Sequence, residues 1–139
     1  MNTKVDIIKK WIEKADHDLG TAILIYKHIA QYRDTIAFHC QQATEKYLKS
    51  YLIYLDVEFR RNHDLIYLAE LINQKDPIDN NLINKLAELG DYAVEIRYPD
   101  SEIELTDIEI QNAIIISKEI RAYVTSKINI QIDYEDLVK

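Results

Sequence analysis

Four polar side chains between positions 39 and 49 have the spacing of one helix face and the chemistry to bind a phosphate or a base. His39, Gln42, Lys46 and Lys49 follow at intervals of three, four and three residues, so they line one side of a helix. Lysine donates to phosphate oxygens, while glutamine and histidine both donate and accept. These residues are candidates for nucleotide or RNA binding, although a solvated helix face shows the same pattern. Glu45 is placed to pair with Lys49 at i, i+4.

A second candidate site is the densest local positive charge in the chain. Arg60, Arg61 and His63 stand in a short polar stretch between two helical patterns. A basic loop on an acidic protein is suited to bind phosphate. It is also a common surface feature, and His63 would equally serve to begin a helix.

Composition limits the classes of function. The 139 residues carry a net charge of −7 with a pI near 5.0, whereas non-specific nucleic-acid binders carry an excess of Lys and Arg. Any RNA contact must therefore come from a local basic patch. The single cysteine, Cys40, excludes an intrachain disulfide and a Cys-based zinc site. The first residues lack the apolar stretch of a signal peptide, and no apolar run approaches the length of a membrane span. We expect a cytoplasmic protein with no membrane segment.

Several kinds of site are absent from the sequence. Gly20 and Gly90 stand alone, which removes P-loop and dinucleotide-binding sites. The four histidines, at positions 17, 28, 39 and 63, have no metal-ligand spacing. No elbow motif surrounds a serine. We therefore expect neither a metal nor a cofactor.

Apolar residues recur at intervals of three and four in five stretches, which predicts five helices. Only two Gly and two Pro interrupt the chain. The predicted helices run from Lys4 to Ala30, Asp34 to Leu55, Asp64 to Asn73, Asp79 to Arg97, and Thr106 to about Ile128. Long amphipathic stripes with short connections predict an all-α helical bundle over residues 1–128. Residues 129–139 form a C-terminal tail without a clear period, either loose or packed against a partner.

Local chemistry predicts how the helices begin and which sides they bury. Asn2 or Thr3, then Asn62 or Asp64, are the expected N-caps, and Thr106 to Glu109 matches a capping box. Gly20 falls away from the apolar stripe of the first helix, and Gly90 is expected to mark close approach of another helix. The predicted buried face of the second helix is Ile36, Cys40, Ala43, Tyr47, Tyr51 and Tyr54 or Leu55. Four tyrosines are expected in the core or an interface rather than as stacking platforms: Tyr51, Tyr54, Tyr67 and Tyr92.

Three motifs in order give the chain a family resemblance. The second helix reads FHCQQATEKYLK from Phe38 to Lys49, His63-Asp64-Leu65 follows, and the fourth helix ends AVEIRYPD from Ala93 to Asp100. Together they resemble the HEPN family, over roughly residues 5 to 127. The resemblance implies an up-and-down four-helix bundle with an additional short helix, and a homodimer. Many HEPN proteins are metal-independent endoribonucleases of defence or toxin–antitoxin systems, others lack the activity, and many are encoded beside a minimal nucleotidyltransferase.

The active HEPN ribonucleases carry an Arg-x4–6-His motif, in one large group followed by x-Tyr. Tyr98 matches that tyrosine, but Ile96 then stands in place of the histidine and Asp91 in place of the arginine. Isoleucine cannot transfer a proton as a neutral imidazole does near pH 7. The usual catalytic motif is thus missing from its usual place. Arg33 and His39 have the right spacing, but they straddle a helix start at the wrong end of the fold.

The resemblance makes the end of the fourth helix the leading candidate site, with Arg97, Tyr98 and Asp100. Arg97 also complements the helix dipole, which alone would explain it, as would a salt bridge in a dimer. Three hypotheses follow. The leading one is a HEPN module that binds nucleotide or RNA, without the usual ribonuclease motif, and works with a minimal nucleotidyltransferase. The second is an active ribonuclease toxin that uses Arg97 with His39 or His63. The third is a structural dimerisation module without a ligand.

Overall fold

The structure, a computed structural model, describes residues 3–96, 104–130 and 138, with side chains throughout except at 93–96. All regular structure in these ranges is helical, as predicted. The helices are α1 (Lys4–His28), α2 (Arg33–Tyr54), α3 (Leu65–Lys75), α4 (Asn80–Ile96) and α5 (Asp107–Lys127). Four long helices and the short α3 make up the predicted bundle. Their ends lie within one or two residues of the predicted ends.

Side-chain caps account for three helix starts. Thr3 accepts from the amide of Asp6, whose carboxylate accepts in turn from Thr3. Asp64 accepts from the amide of Ile66. Thr106 and Glu109 form the predicted capping box. Each cap satisfies backbone donors that have no partner within the helix, so local sequence is sufficient to locate these ends.

Helix α2 is the central element, because it packs against each of the other four helices. Its buried residues cover most of its circumference and include the polar side chains Thr44, Ser50 and Lys49. Thr44 and Ser50 donate to the α2 carbonyls of Cys40 (2.8 Å) and Tyr47 (2.6 Å), which satisfies their hydroxyls in a dry environment. The predicted buried face is confirmed for Ile36, Cys40, Ala43, Tyr47 and Tyr51, and burial extends well beyond it, to polar positions such as Lys49.

Both glycines differ from their predictions. Gly20 is buried in α1, although it was expected to fall away from the apolar stripe. A Cβ added at Gly90 would meet nothing within 4 Å. None of the described residues approaches Gly90 closely, so packing among them does not explain a glycine at this position.

The core extends along the whole bundle and past α5. Ile128 and Val138 are both buried, so at least one residue of the predicted tail contributes to the core. Tyr51 and Tyr92 are buried, and Tyr54 and Tyr67 pack against the core, as predicted for these tyrosines. In the ranges given above, none of the helices is long and apolar enough to cross a membrane.

A buried polar network joins three helices in this core. Asp16 of α1 accepts from the Tyr47 hydroxyl of α2 (2.5 Å) and from Arg121 of α5, at 2.9 Å from Nε and 3.3 Å from the terminal nitrogen. Burial and the Asp16 carboxylate raise the pKa of Tyr47 far above its usual range. The hydroxyl therefore stays protonated and donates. Removing Arg121 would leave the buried Asp16 carboxylate without this counter-charge.

Candidate functional site

A cleft of about 600 Å³ opens between α2, α4 and the chain that leads into α3. This volume lies within the range of small-molecule sites. Its apolar lining comes from Leu65, Ile66, Leu86 and Ala87. Its other lining residues are Gln41, Arg61, Asn62, His63, Asp64, Gly90 and Asp91. The lining thus combines apolar side chains with polar and charged groups that could orient a ligand.

Hydrogen bonds fix the loop that carries Arg61 and His63. Asn62 accepts from the amide of Asp64 (2.8 Å), and Asp64 accepts from the amide of Ile66 (2.9 Å). Gln41 of α2 donates from Nε2 to the carbonyl of His63 (3.1 Å). The loop is thus tied both to α3 and to α2. Arg61 is exposed, and no described residue pairs with its guanidinium.

Three side chains, Glu45, Lys49 and His63, meet at this edge of the cleft, and we call them the Glu45 cluster. Glu45 Oε1 contacts His63 Nδ1 at 2.7 Å and Lys49 Nζ at 3.1 Å. Since an ionised carboxylate only accepts, Nδ1 carries the proton and Nε2 is left to contact a ligand. Glu45 and Lys49 are buried, but the His63 side chain is 65% exposed. A buried pair thus presents an exposed imidazole at the cleft.

Lys49 itself does not reach the cleft. Its ammonium lies 5.6 Å from the ring centroid of Trp11 and 5.8 Å from that of Phe59. It also makes the predicted pair with Glu45. Lys49 is 7% exposed, so it does not lie on a solvated helix face. Its role is to neutralise Glu45 within the core.

A second group, the Asp18 cluster, holds two more of the predicted site residues. Asp18 of α1 contacts His39 Nδ1 at 3.0 Å through Oδ1, and Lys46 Nζ through Oδ2. All three side chains are half-buried, and none of them lines the cleft. Gln42 is half-buried and also lies outside the cleft lining. His39, Gln42 and Lys46 thus lie half-buried on α2 outside the cleft lining, while Lys49 is buried.

Arg60 turns away from its neighbour Arg61. Its guanidinium lies 5.2 Å from the ring centroid of Tyr67, and its amide donates to the Tyr67 hydroxyl (3.0 Å). That backbone hydrogen bond is the main reason why the pKa of Tyr67 lies below its usual value. Of the predicted basic loop, the structure thus brings Arg61 and His63 to the cleft. The predicted site residues Arg97, Tyr98 and Asp100 lie outside the described residues.

Arg33 and His39, which have the spacing of the ribonuclease motif, are each bound to other groups. Arg33 donates from a terminal nitrogen to the carbonyl of Leu105 (2.9 Å), and His39 is held by Asp18.

Burial raises the pKa of the Cys40 thiol to about 12, so this cysteine is not a nucleophile near neutral pH. Within the described ranges, no group of His, Cys, Asp or Glu residues has a geometry that would hold a metal ion.

Sequence reasoning missed Gln41, Asp18 and the buried Asp16. Asp16 had a signal, because it stands four residues after Ile12 and three before Leu19, on the buried stripe of α1. Gln41 and Asp18 had none, since their importance comes from partners 22 and 21 residues away along the chain.

The family assignment follows from comparison with known proteins. The family model described as HEPN domain matches residues 8–129, and this chain belongs to the HEPN family. A protein of Methanocaldococcus jannaschii named "Putative toxin MJ1304" is 32% identical over 98 residues, which are 66% of this chain and 63% of that protein. The chain thus matches less than two thirds of the length of this relative.

Two solved structures have the same fold. The crystal structure of TT1696 from Thermus thermophilus superposes with a TM-score of 0.76 at 23% identity and covers 87% of this chain and 98% of its own. The crystal structure of ST0689, an archaeal HEPN homologue, has a TM-score of 0.69 at 22% identity, with coverage of 86% and 96%. These likenesses confirm the all-α bundle.

Proposed function

We propose that this HEPN chain binds a nucleotide or an RNA strand in the cleft. The observation that supports this most directly is the cleft itself, with a volume of about 600 Å³, an apolar lining, and Arg61 and His63 at its edge. The guanidinium of Arg61 suits a phosphate, which it contacts through two parallel N–H groups. On a chain with a net charge of −7, such a local cation is what nucleotide binding requires.

The proposed module lacks the usual ribonuclease motif. Asp91, which stands in place of the motif arginine, is exposed and lines the cleft. A carboxylate repels a developing phosphate charge, whereas the arginine would stabilise it. Ile96 in place of the histidine removes the proton-transfer group.

We further propose that the chain acts as a cytoplasmic homodimer with a minimal nucleotidyltransferase in a toxin–antitoxin-like pair. Membership of the HEPN family and the relative named as a toxin support this role. If a small nucleotidyltransferase is encoded beside the gene, its co-expression with this chain should yield a complex that survives size-exclusion chromatography. Separate elution of the two proteins would exclude a stable pair.

Charge reversal tests ligand binding. We expect Arg61→Glu to weaken binding of fluorescein-labelled ATP or of a short RNA by about tenfold or more, since it replaces a phosphate contact with a repulsive charge. Lys118 is exposed on α5 and does not line the cleft, so Lys118→Glu makes the same charge change elsewhere. Equal weakening by both variants would indicate only a long-range charge effect.

One observation favours a second candidate, the active ribonuclease. Glu45 holds His63 Nδ1 at 2.7 Å, an arrangement that suits a general base. Cleavage of a mixed RNA pool in EDTA by the pure protein, abolished by His63→Ala or Arg97→Ala, would establish this activity. The structural dimerisation module would be preferred if no nucleotide or RNA binds at micromolar concentration and Arg97→Ala alters only dimer stability.

A further inference from the structure

We propose that the cleft is a nucleobase pocket, in which the base lies flat against the α4 backbone at Gly90 and its exocyclic amino group donates to Gln41 Oε1. This inference rests on the proposed function, because it takes the bound molecule to be a nucleotide. The ligand class is a nucleotide of adenine or cytosine, either free or at the end of an RNA strand.

Gly90 is the first reason for this assignment. Glycine in the middle of a helix is unfavourable compared with alanine, and α4 continues for six residues beyond it. An added Cβ would meet nothing within 4 Å among the described residues, so neither backbone conformation nor packing against those residues requires glycine here. Gly90 lines the cleft. A flat ligand that lies directly on the backbone does require it, since a methyl group would hold the ring away from the helix.

Gln41 is the second, independent reason. Its side chain is 6% exposed and lies in the cleft wall. Nε2 donates to the carbonyl of His63, and the opposite amide orientation would set two oxygens against each other. Oε1 is buried and has no hydrogen-bond partner among the described residues, which is rare for a buried acceptor. To reach a donor in the cleft, this oxygen would have to be exposed by a rotation of the amide about its soft terminal torsion when the ligand binds, at some cost to the bond from Nε2 to His63.

The remaining lining fits the rest of a nucleotide. Leu65 and Leu86 supply apolar surface for the base. Arg61 at the edge supplies donors for the phosphate, and Nε2 of His63 is an acceptor for a ribose hydroxyl. The exposed carboxylate of Asp91 is placed to accept from ribose hydroxyls. The cleft is thus rich in acceptors where the base and sugar would lie, and cationic at one edge only.

Paired mononucleotides test the contact with Gln41. AMP and IMP differ at the amino position, where IMP carries an oxygen, and CMP and UMP differ in the same way. We expect AMP and CMP to bind about tenfold more tightly than IMP and UMP in calorimetric titrations, the effect of one buried hydrogen bond. Gln41→Leu should remove this preference. Gln74→Leu, at an exposed position of α3 outside the cleft, should keep it.

Gly90 gives a test in which stability and binding change in opposite directions. Gly90→Ala should raise Tm by roughly 2–5 °C, because alanine favours the helix and meets no neighbour. The same variant should weaken AMP binding about fivefold, and Gly90→Leu more strongly, since both fill the space of the ring. Ala122→Leu adds comparable volume at an exposed position of α5 and should leave AMP binding unchanged. Weaker binding by a more stable protein cannot result from unfolding.

Three results would overturn the inference in distinguishable ways. Equal affinity for AMP and IMP would remove the role of Gln41. If a short oligoadenylate binds, and Gly90→Leu binds it equally well, the proposed function stands and the nucleobase pocket is wrong. If neither mononucleotides nor the oligonucleotide bind at millimolar concentration, the proposed function and the pocket both fail. Competition between AMP and the oligonucleotide shows whether the free nucleotide or the RNA end occupies the same site.

Discussion

The Asp18 cluster and the Glu45 cluster contain the same kinds of residue, but only the second opens on the cleft. Each consists of one carboxylate, one histidine and one lysine. In the Asp18 cluster all three side chains are half-buried. In the Glu45 cluster the carboxylate and the lysine are buried, while the histidine is 65% exposed. No side chain of the Asp18 cluster is largely exposed, whereas the Glu45 cluster presents its histidine to solvent.

The difference lies in what surrounds each carboxylate rather than in the residue types. Glu45 has its lysine on its own helix and its histidine on a loop that Gln41 ties down. That loop leads into α3, so the histidine is fixed at the edge of the cleft. Asp18 joins α1 to α2, and these helices are packed side by side. The same three residue types stabilise a helix pair in one place and position a candidate ligand contact in the other.

The largest expected effect that separates the clusters is the loss of each carboxylate. Glu45→Ala leaves Lys49 buried without its counter-charge and should lower the free energy of unfolding by about 3 kcal/mol. Asp18→Ala affects half-exposed partners that water can solvate, and should cost about 1 kcal/mol. Urea denaturation followed by circular dichroism measures both. Equal losses would mean that burial does not distinguish the clusters.

Removing both charges should recover much of that loss in one cluster only. In the double variant Glu45→Ala/Lys49→Met the apolar side chain takes the place of a buried ammonium between Trp11 and Phe59, so about 2 kcal/mol of the loss should return. The corresponding change Asp18→Ala/Lys46→Met should show a coupling below about 1 kcal/mol. A larger coupling energy for Asp18 and Lys46 than for Glu45 and Lys49 would mean that Asp18 and Lys46 form the more strongly buried pair.

The helices were predictable because their signals are local. Apolar periodicity and the caps at Thr3, Asp64 and Thr106 depend on residues a few positions apart. The polar face of α2 was not predictable in the same way. Whether the side of α2 that carries Lys49 is solvated depends on how many other helices pack around α2. The spacing of residues within α2 does not give that number.

The candidate site was predictable only in part, for the same reason. Local charge pointed to Arg61 and His63, which the structure brings to the cleft. The opening at Gly90 and the unpaired oxygen of Gln41 result from the relative placement of α2, α3 and α4. A helical glycine usually suggests close packing, and here the space beside it is open.

The stability of the protein at alkaline pH tests how deeply Cys40 of α2 is buried, and both carboxylates are left unchanged. Burial raises the pKa of Cys40 from 9.0 to about 12. Above pH 9 the unfolded chain therefore loses this proton while the folded chain keeps it, so stability falls as pH rises toward 12. At pH 10 this thiol should cost about 1 kcal/mol. Urea midpoints measure how much stability is lost between pH 8 and pH 10. This loss should be smaller in Cys40→Ala than in the unchanged protein. An equal loss in both would show that other groups cause it.

The smallest expected change in stability carries the sharpest functional contrast between the clusters. His63→Ala removes a largely exposed side chain and should lower stability by less than about 0.5 kcal/mol, yet weaken AMP binding about fivefold by removing a hydrogen-bonding group at the edge of the cleft. His39→Ala should cost about 1 kcal/mol of stability and change AMP affinity less than twofold, since His39 contacts Asp18 away from the cleft. If the two variants weaken AMP binding equally, the ligand does not distinguish the clusters. The predicted polar face of α2, which includes His39, would then remain a candidate ligand surface.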